Sequence, residues 1–252
     1  MLAILRHLRY TDAMRYEIHS IQQIGSTNTA VKELAKSGAP EGYVLVADAQ
    51  TEGRGRLGRS FYSPAGSGLY TSILLRPQAS VSPAALTCLT AVAAADTIFS
   101  FGQSCSIKWV NDLYCHEKKA GGILVEGALL PSGGYSYAVV GIGINLSLPV
   151  SIPTDLQSVL TGVFPFSTDT AFRDRFLRRL CDAFFTYYDR LPAITFWERY
   201  HTLQNCFGRK VRFHMGETEA LGIAESIDRE FRLIVRTDSG TVALERGEVV
   251  FV

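Results

Sequence analysis

SIKWVNDLYCHEKKAGGILVEGALLPSGGYSYAVVGIGIN, residues 106–145, decides the fold class. It reads as four strand-like runs, Ser106–Trp109, Asp112–Cys115, Gly122–Leu130 and Tyr135–Asn145, with no helical spacing between them. Pro131-Ser132-Gly133-Gly134 is a turn sequence that folds the last two runs into an antiparallel hairpin. In a doubly wound parallel sheet a helix follows each strand. Strands in unbroken succession point instead to an α+β fold with a mixed, mainly antiparallel sheet.

Working outward from that block, Ser82-Pro83 opens an alanine-rich helix that runs to about Phe101, with proline tolerated in the first turn. Farther upstream, Tyr43–Ala47 and Leu69–Leu75 read as strands. Ser26-Thr27 is an N-cap for a helical pattern through Glu33, Leu34 and Lys36 that stops at Gly38 and Pro40. Downstream, residues 148–166 form an irregular connection carrying Pro149, Pro153 and Pro165. Phe172, Phe176, Leu180, Phe184 and Tyr187 then recur at helical spacing, and such an aromatic stripe is first of all core. A shorter helix covers roughly Ile194 to Leu203. Beyond it, polar turns at Met215–Thr218, Asp228–Glu230 and Thr237–Gly240 separate short strands of a small five-stranded, barrel-like unit. The chain is therefore expected to divide into residues 1–204 and residues 205–252.

Composition bounds the function. A chain of 252 residues, 47% hydrophobic, can bury one sizeable core with a small appended domain. With 25 Lys+Arg against 24 Asp+Glu it lacks the basic excess of a dedicated nucleic-acid binder. Cys88, Cys105, Cys115, Cys181 and Cys206 contain no CxxC pair, which suggests neither a zinc site nor a disulfide scaffold and fits a reducing compartment. Leu2 to Leu5 is a short apolar stretch broken by Arg6 and His7, a poor signal peptide. No uninterrupted apolar run is long enough to cross a bilayer. The expectation is a soluble, cytoplasmic protein that binds neither membrane nor nucleic acid.

Three segments carry chemistry. In Gln50-Thr51-Glu52-Gly53-Arg54-Gly55-Arg56-Leu57-Gly58-Arg59, glycines let the backbone approach a ligand and arginines offer planar forks for phosphate or carboxylate. Taken alone, the loop is an anion clamp or a solvated basic tract. It is not the GxxxxGK[ST] phosphate loop. Lys108-Trp109-Val110-Asn111-Asp112-Leu113 and Lys118-Lys119-Ala120-Gly121-Gly122 are either tight turns or lysines aimed at phosphate, with Asp112 beside a magnesium ion. Gly141-Ile142-Gly143-Ile144-Asn145 places glycines inside a strand, where a ligand or a packed neighbour approaches closely.

These segments occur in one chain in the order that resembles the biotin–protein ligase family: Ser-Thr-Asn, GRGRxGR, KWPNDL, K-x-x-G-I-L and G-x-G-I-N. Here they stand as Ser26-Thr27-Asn28, Gly53 to Arg59, Lys108 to Leu113, Lys119 to Leu124 and Gly141 to Asn145. The resemblance runs from about residue 20 to the C-terminus, whose last unit looks like the family's SH3-like barrel. It implies a catalytic domain akin to class II aminoacyl-tRNA synthetases. It also implies adenylation of biotin by ATP with magnesium, then transfer to a lysine of a biotin carboxyl carrier domain. On this mapping Ser26, Thr27, Gln50 and the backbone of Gly121-Gly122 line the biotin ureido pocket, with Tyr70 also on the ligand. Arg54 and Arg56 fold over biotin and the adenylate phosphate, and Arg54 and Lys119 serve as the catalytic cations. Phe61 lies beside adenine. Lys108, Asn111 and Asn145 contact the nucleotide, and Asp112 holds magnesium.

Two departures stand out. Val110 replaces the family's usual proline. About 25 residues precede Ser26, too few for a winged-helix DNA-binding domain, so a ligase without repressor activity is expected. The rivals are a lipoate or octanoate ligase, against which the GRGRxGR loop and KWxND argue, an RNA-binding module, and a scaffold. The sequence is compatible with a monomer or a homodimer paired at a sheet edge.

Overall fold

The computed structural model describes residues 6–7, 15–77, 81–131, 134–149, 151–191, 193–216 and 218–252. Leu2 to Leu5, Ser132 and Gly133 of the hairpin turn, and Glu217 of the turn at Met215–Thr218 lie outside the described residues. The main sheet has eight strands: β1 (Arg6–His7), β2 (Glu17–Ile24), β3 (Tyr43–Gln50), β4 (Gly68–Leu75), β5 (Ser106–Lys108), β6 (Asp112–Cys115), β7 (Lys118–Leu129) and β8 (Tyr135–Asn145). Their spatial order is β1-β2-β3-β4-β8-β7-β6-β5. Only β2 and β3 pair in parallel; every other neighbouring pair is antiparallel. The mixed, mainly antiparallel sheet expected from residues 106–145 is present.

Alternation along the strands divides the sheet into two faces. On one face lies α1 (Thr27–Lys36), where Val31 and Ala35 pack on Leu45, Leu74, Tyr137 and Val139. The other face carries α2 (Pro83–Ser100) and α4 (Thr170–Tyr188), with α5 (Trp197–Thr202) against α2; a single turn, α3 (Thr154–Gln157), interrupts the proline-rich connection. The stripe read from the sequence is core: Phe176, Leu180 and Phe184 are fully buried. Ser82 caps α2, its Oγ accepting from Ala85 N at 3.0 Å. The 18 residues of α2 have a mean hydropathy of 1.4 and are long and apolar enough to cross a membrane by length and composition. In the fold this helix is the central core helix, with Leu86, Leu89 and Val92 fully buried.

The second sheet is five-stranded and antiparallel: β9 (Lys210–Met215), β10 (Thr218–Ile227), β11 (Leu233–Thr237), β12 (Gly240–Leu244) and β13 (Val250–Phe251), ordered β12-β11-β10-β9-β13. Its buried Val211, Phe213, Leu233 and Val235 belong to the same hydrophobic cluster as the α2 side of the main sheet. Trp109 Nε1 donates to Phe231 O at 2.9 Å and Trp197 Nε1 to Asp228 O at 2.9 Å, so both indoles fasten to one turn of this sheet.

Candidate active site

A cleft opens on the α1 face of the main sheet. Its floor is β4, β8 and β7. Gly141 and Gly143 leave the floor without side chains where neighbours press closest: a Cβ on Gly141 would lie 2.2 Å from Asn28 Oδ1, and one on Gly143 would lie 2.6 Å from the Phe61 ring. The glycine strand segment is thus a requirement of packing on the cleft side.

One end is built by the start of α1. Ser26, in extended backbone conformation, caps the helix. Gln50 Oε1, at the end of β3, accepts from Thr27 N at 2.9 Å and Thr27 Oγ1 at 3.1 Å, while its Nε2 donates to Ser63 Oγ at 3.0 Å. Buried Ser72 donates to Asn28 Oδ1 at 2.6 Å and lies 2.8 Å from Thr27 Oγ1. Asn28 Nδ2 in turn donates to Glu126 Oε2 at 2.9 Å. Every member is held by another, so this end is a rigid polar surface.

The other end is the tight connection between β5 and β6. Lys119 Nζ lies 2.7 Å from Asp112 Oδ1. Lys119 is anchored by its backbone, N donating to Val159 O and O accepting from Thr161 N, each at 2.9 Å. Asn111 Nδ2 donates to Ile123 O at 3.0 Å and its Oδ1 accepts from Arg56 Nη1 at 2.9 Å. The Trp109–Val110 peptide is cis. Lys108 is buried on the wall with its ammonium 5.1 Å from the Phe251 ring centroid, and burial lowers its pKa.

The arginine loop spans the opening. Its base is closed by Phe61 N donating to Gly53 O at 2.8 Å, and it reverses at Leu57 and Gly58, both in left-handed backbone with φ of 56° and 75°. Its three arginines go to three places. Arg54 Nη2 lies 3.7 Å from Glu126 Oε1, whereas Arg56 Nη2 donates to Gly247 O at 3.1 Å and Arg59 Nη1 donates to Glu248 Oε1 at 2.7 Å. Glu126 is four residues along β7 from Gly122, about 13 Å at strand rise. Arg54 therefore sits at the α1 end, apart from Lys119, though both line the same cleft.

Of the residues expected from the sequence, Ser26, Thr27, Gln50, Arg54, Arg56, Phe61, Lys108, Asn111, Asp112, Lys119 and Gly122 line this cleft. Asn145 lines an adjoining recess that shares Gln50, Arg59, Ser60, Phe61 and Lys119 with it. Tyr70 is not on the wall. It is 1% exposed beneath Phe61, its hydroxyl donating to Pro64 O at 3.0 Å, and burial pushes its pKa up to about 12. Gly121 is also off the wall, pressed against Gly143 O. Glu126 was missed, although strand alternation from Gly122 through Leu124 leads to it. Gly247 and Glu248 were missed because nothing local in the sequence connects them to a loop some 190 residues away. Among the described residues no group of three or more His, Cys, Asp or Glu side chains forms a metal cage. Asp112 beside Lys119 fits a magnesium ion carried by nucleotide phosphates, which needs only one or two carboxylates.

The profile of the Biotin/lipoate A/B protein ligase family matches residues 20–145. The chain is 31% identical to the Bifunctional ligase/repressor BirA of Bacillus spizizenii, over 97% of this chain and 74% of that protein. It is 32% identical to the Biotin–[acetyl-CoA-carboxylase] ligase of Paracoccus denitrificans, over 90% of this chain and 97% of that protein. Among solved structures it is similar to the biotin protein ligase from Aquifex aeolicus in complex with biotin and ATP, with a TM-score of 0.79, 26% identity, and coverage of 93% of this chain and 98% of that one.

Proposed function

The chain belongs to the Biotin/lipoate A/B protein ligase family, and from that premise we infer what its cleft does. It is a biotin–protein ligase: it adenylates biotin with ATP and passes the biotinyl group to a protein lysine. The observation that carries the site assignment is the division of one cleft into a polar end at Thr27 and Gln50 and a cationic end at Lys119 and Arg56. Biotin has the matching polarity, with a hydrogen-bonding ureido ring at one end and a carboxylate at the other.

On this reading Ser26, Thr27 and Gln50 take the ureido ring, and the valeryl chain runs along the cleft toward Lys119. The carboxylate arrives beside Lys119. Phe61 and Asn145 frame the adjoining recess for the adenine end of ATP, with Asn111 and Lys108 on the phosphate side. A biotin carboxylate oxygen attacks the α-phosphorus; the bond to the β-phosphate oxygen breaks and pyrophosphate leaves. The protein contributes alignment and neutralisation of spreading negative charge. Lys119 and Arg56 supply the cations, and Asp112 would help hold a magnesium ion, whose role is to neutralise phosphate charge. A lysine amine of the acceptor then attacks the acyl carbon, AMP departs with the former carboxylate oxygen, and an amide remains. The acceptor is proposed to be a biotin carboxyl carrier domain. Residues 1–204 are proposed to bind the reactants, and residues 205–252 to clasp the loop through Gly247 and Glu248. Five buried free thiols support placement in the reducing cytoplasm.

Biotin-dependent exchange of labelled pyrophosphate into ATP tests this directly, with lipoate and octanoate in parallel. Exchange with biotin alone is expected. Exchange with lipoate or octanoate instead would overturn the choice of acid.

A further inference from the structure

Arg54 leaves the main chain just beyond β3, and its partner Glu126 stands on β7, with β4 and β8 lying between them in the sheet. The contact therefore crosses roughly 14 Å of sheet at the ordinary strand spacing. Over β8, between β3 and β7, Asn28 of α1 packs on Gly141 and the Phe61 ring packs on Gly143. Glu126 is well placed to be the fixed end of such a crossing. Its Oε1 takes Lys32 Nζ at 2.7 Å and its Oε2 takes Asn28 Nδ2 at 2.9 Å, both from α1. Burial opposes its charge, but Lys32, Asn28 and Arg54 outweigh burial and hold the carboxyl below its usual range. Arg54 is the movable end: its side chain is 48% exposed, against 20% for Glu126, and its only ion pair among the described residues is this one at 3.7 Å.

We propose that Arg54 and Glu126 form an electrostatic strap across the biotin cleft, and that Glu126 is a positioning residue that governs how long biotin is held rather than how fast it reacts. The Lys119 ammonium lies beside Gly122, four residues or about 13 Å along β7 from Glu126, too far for the Glu126 carboxylate to touch the phosphate chemistry. The strap opens when Arg54 swings off Glu126 into solvent, at the small cost expected for a half-exposed ion pair. That low cost suits a gate that must open in each catalytic cycle. This inference rests on biotin being the ligand of the cleft.

The test is biotin dissociation from the full chain by stopped flow, at low and high KCl, for the wild type, Glu126→Gln, Arg54→Ala and the double variant. Glu126→Gln keeps the shape and an acceptor for Asn28, and Arg54→Ala alters a half-exposed loop residue, so at least one keeps the fold. Each single change should speed biotin release about two- to five-fold, the range for exposed ion pairs. The double variant should be no faster than either single one. KCl should accelerate release from the wild type and leave the variants unmoved. For Glu126→Gln the Michaelis constant for biotin should rise while that for ATP and the turnover of pyrophosphate exchange hold. Additive effects, equal salt dependence in all four proteins, or loss of turnover with unchanged biotin release would overturn the strap. Wild-type protein that neither binds biotin nor exchanges pyrophosphate would instead overturn the assigned substrate.

Discussion

Gly143→Ala and Gly141→Ala insert the same methyl two residues apart on one strand face, and the structure predicts opposite consequences. At Gly143 the new Cβ would meet Phe61 Cε1 at 2.6 Å and Cζ at 2.7 Å. An ordinary carbon–carbon contact is about 3.6 Å, so the ring must retreat by roughly 1 Å. Phe61 is only partly buried and borders the open recess, so the retreat costs the fold little. It costs the site more, because the ring moves into the space assigned to adenine. A misplacement of about 1 Å in a reacting complex can lower rate 100-fold, so the Michaelis constant for ATP should rise at least ~10-fold or turnover should fall correspondingly. Biotin affinity should be nearly unchanged. At Gly141 the obstacle is Asn28 Oδ1 at 2.2 Å, and Asn28 is 4% exposed with its amide bonded to Ser72, Leu124 O and Glu126. It has nowhere to go. Overpacking plus a broken buried hydrogen bond should cost about 3 kcal/mol, lowering the thermal midpoint by about 6 to 12 °C at this chain length. Thermal melts and pyrophosphate-exchange kinetics on both variants decide the matter. A Gly143→Ala enzyme with wild-type ATP dependence, or a Gly141→Ala protein with an unchanged midpoint, would refute this account of the cleft floor.

Other expectations follow from single contacts. Lys119→Ala should reduce pyrophosphate exchange by about 100-fold or more while the melt stays close to wild type, the loss typical of one preorganised charge at a reacting phosphate; near-normal exchange would remove Lys119 from the reaction centre. Because burial lowers the pKa of Lys108, the exchange rate should fall on the alkaline side before an ordinary lysine would titrate, and Lys108→Arg should move that limb to higher pH. Stability runs the other way: the cost of the buried charge is fully present below the lowered value and is relieved as pH rises through it toward the unfolded-state value. A rate that stays flat across the alkaline range in the wild type would exclude Lys108 from the cationic wall. Phe184→Ala, at a fully buried position on α4, should destabilise the protein by about 3 to 5 kcal/mol in denaturant titration, without changing the Michaelis constants of the remaining folded enzyme.

Much of this architecture was legible because local signals and long-range packing agreed. Ser26 and Ser82 are helix caps by chemistry, and both accept the backbone N–H that the cap requires. The β7–β8 hairpin announces itself through alternation and a glycine-rich turn. The missed strand, β2, shows the opposite case. Glu17–Ile24 alternates poorly, with polar residues on both sides, and its position comes from parallel pairing with β3, which no local pattern encodes. The candidate site divides similarly. Residues carried by the ordered motifs converge on one cleft, but the motif says nothing about direction along the cleft. So the motif groups Arg54 with Lys119 while the ion pair of Arg54 lies at the far end, and it names Tyr70 while that ring is buried edge-on to Phe61. The clasp from Gly247 and Glu248 depends on how the second sheet docks, which is decided by the shared core.

The chain has two tryptophans, and both indole N–H groups end on the turn between β10 and β11, on Phe231 O and Asp228 O. All of the protein's native tryptophan emission therefore originates at one seam, where the second sheet meets α5 and the segment leading to Asn111. No engineered label is needed to watch that seam. A shift in emission on adding nucleotide would time the movement of the second sheet against the cleft, in the same stopped-flow trace that records the ligand.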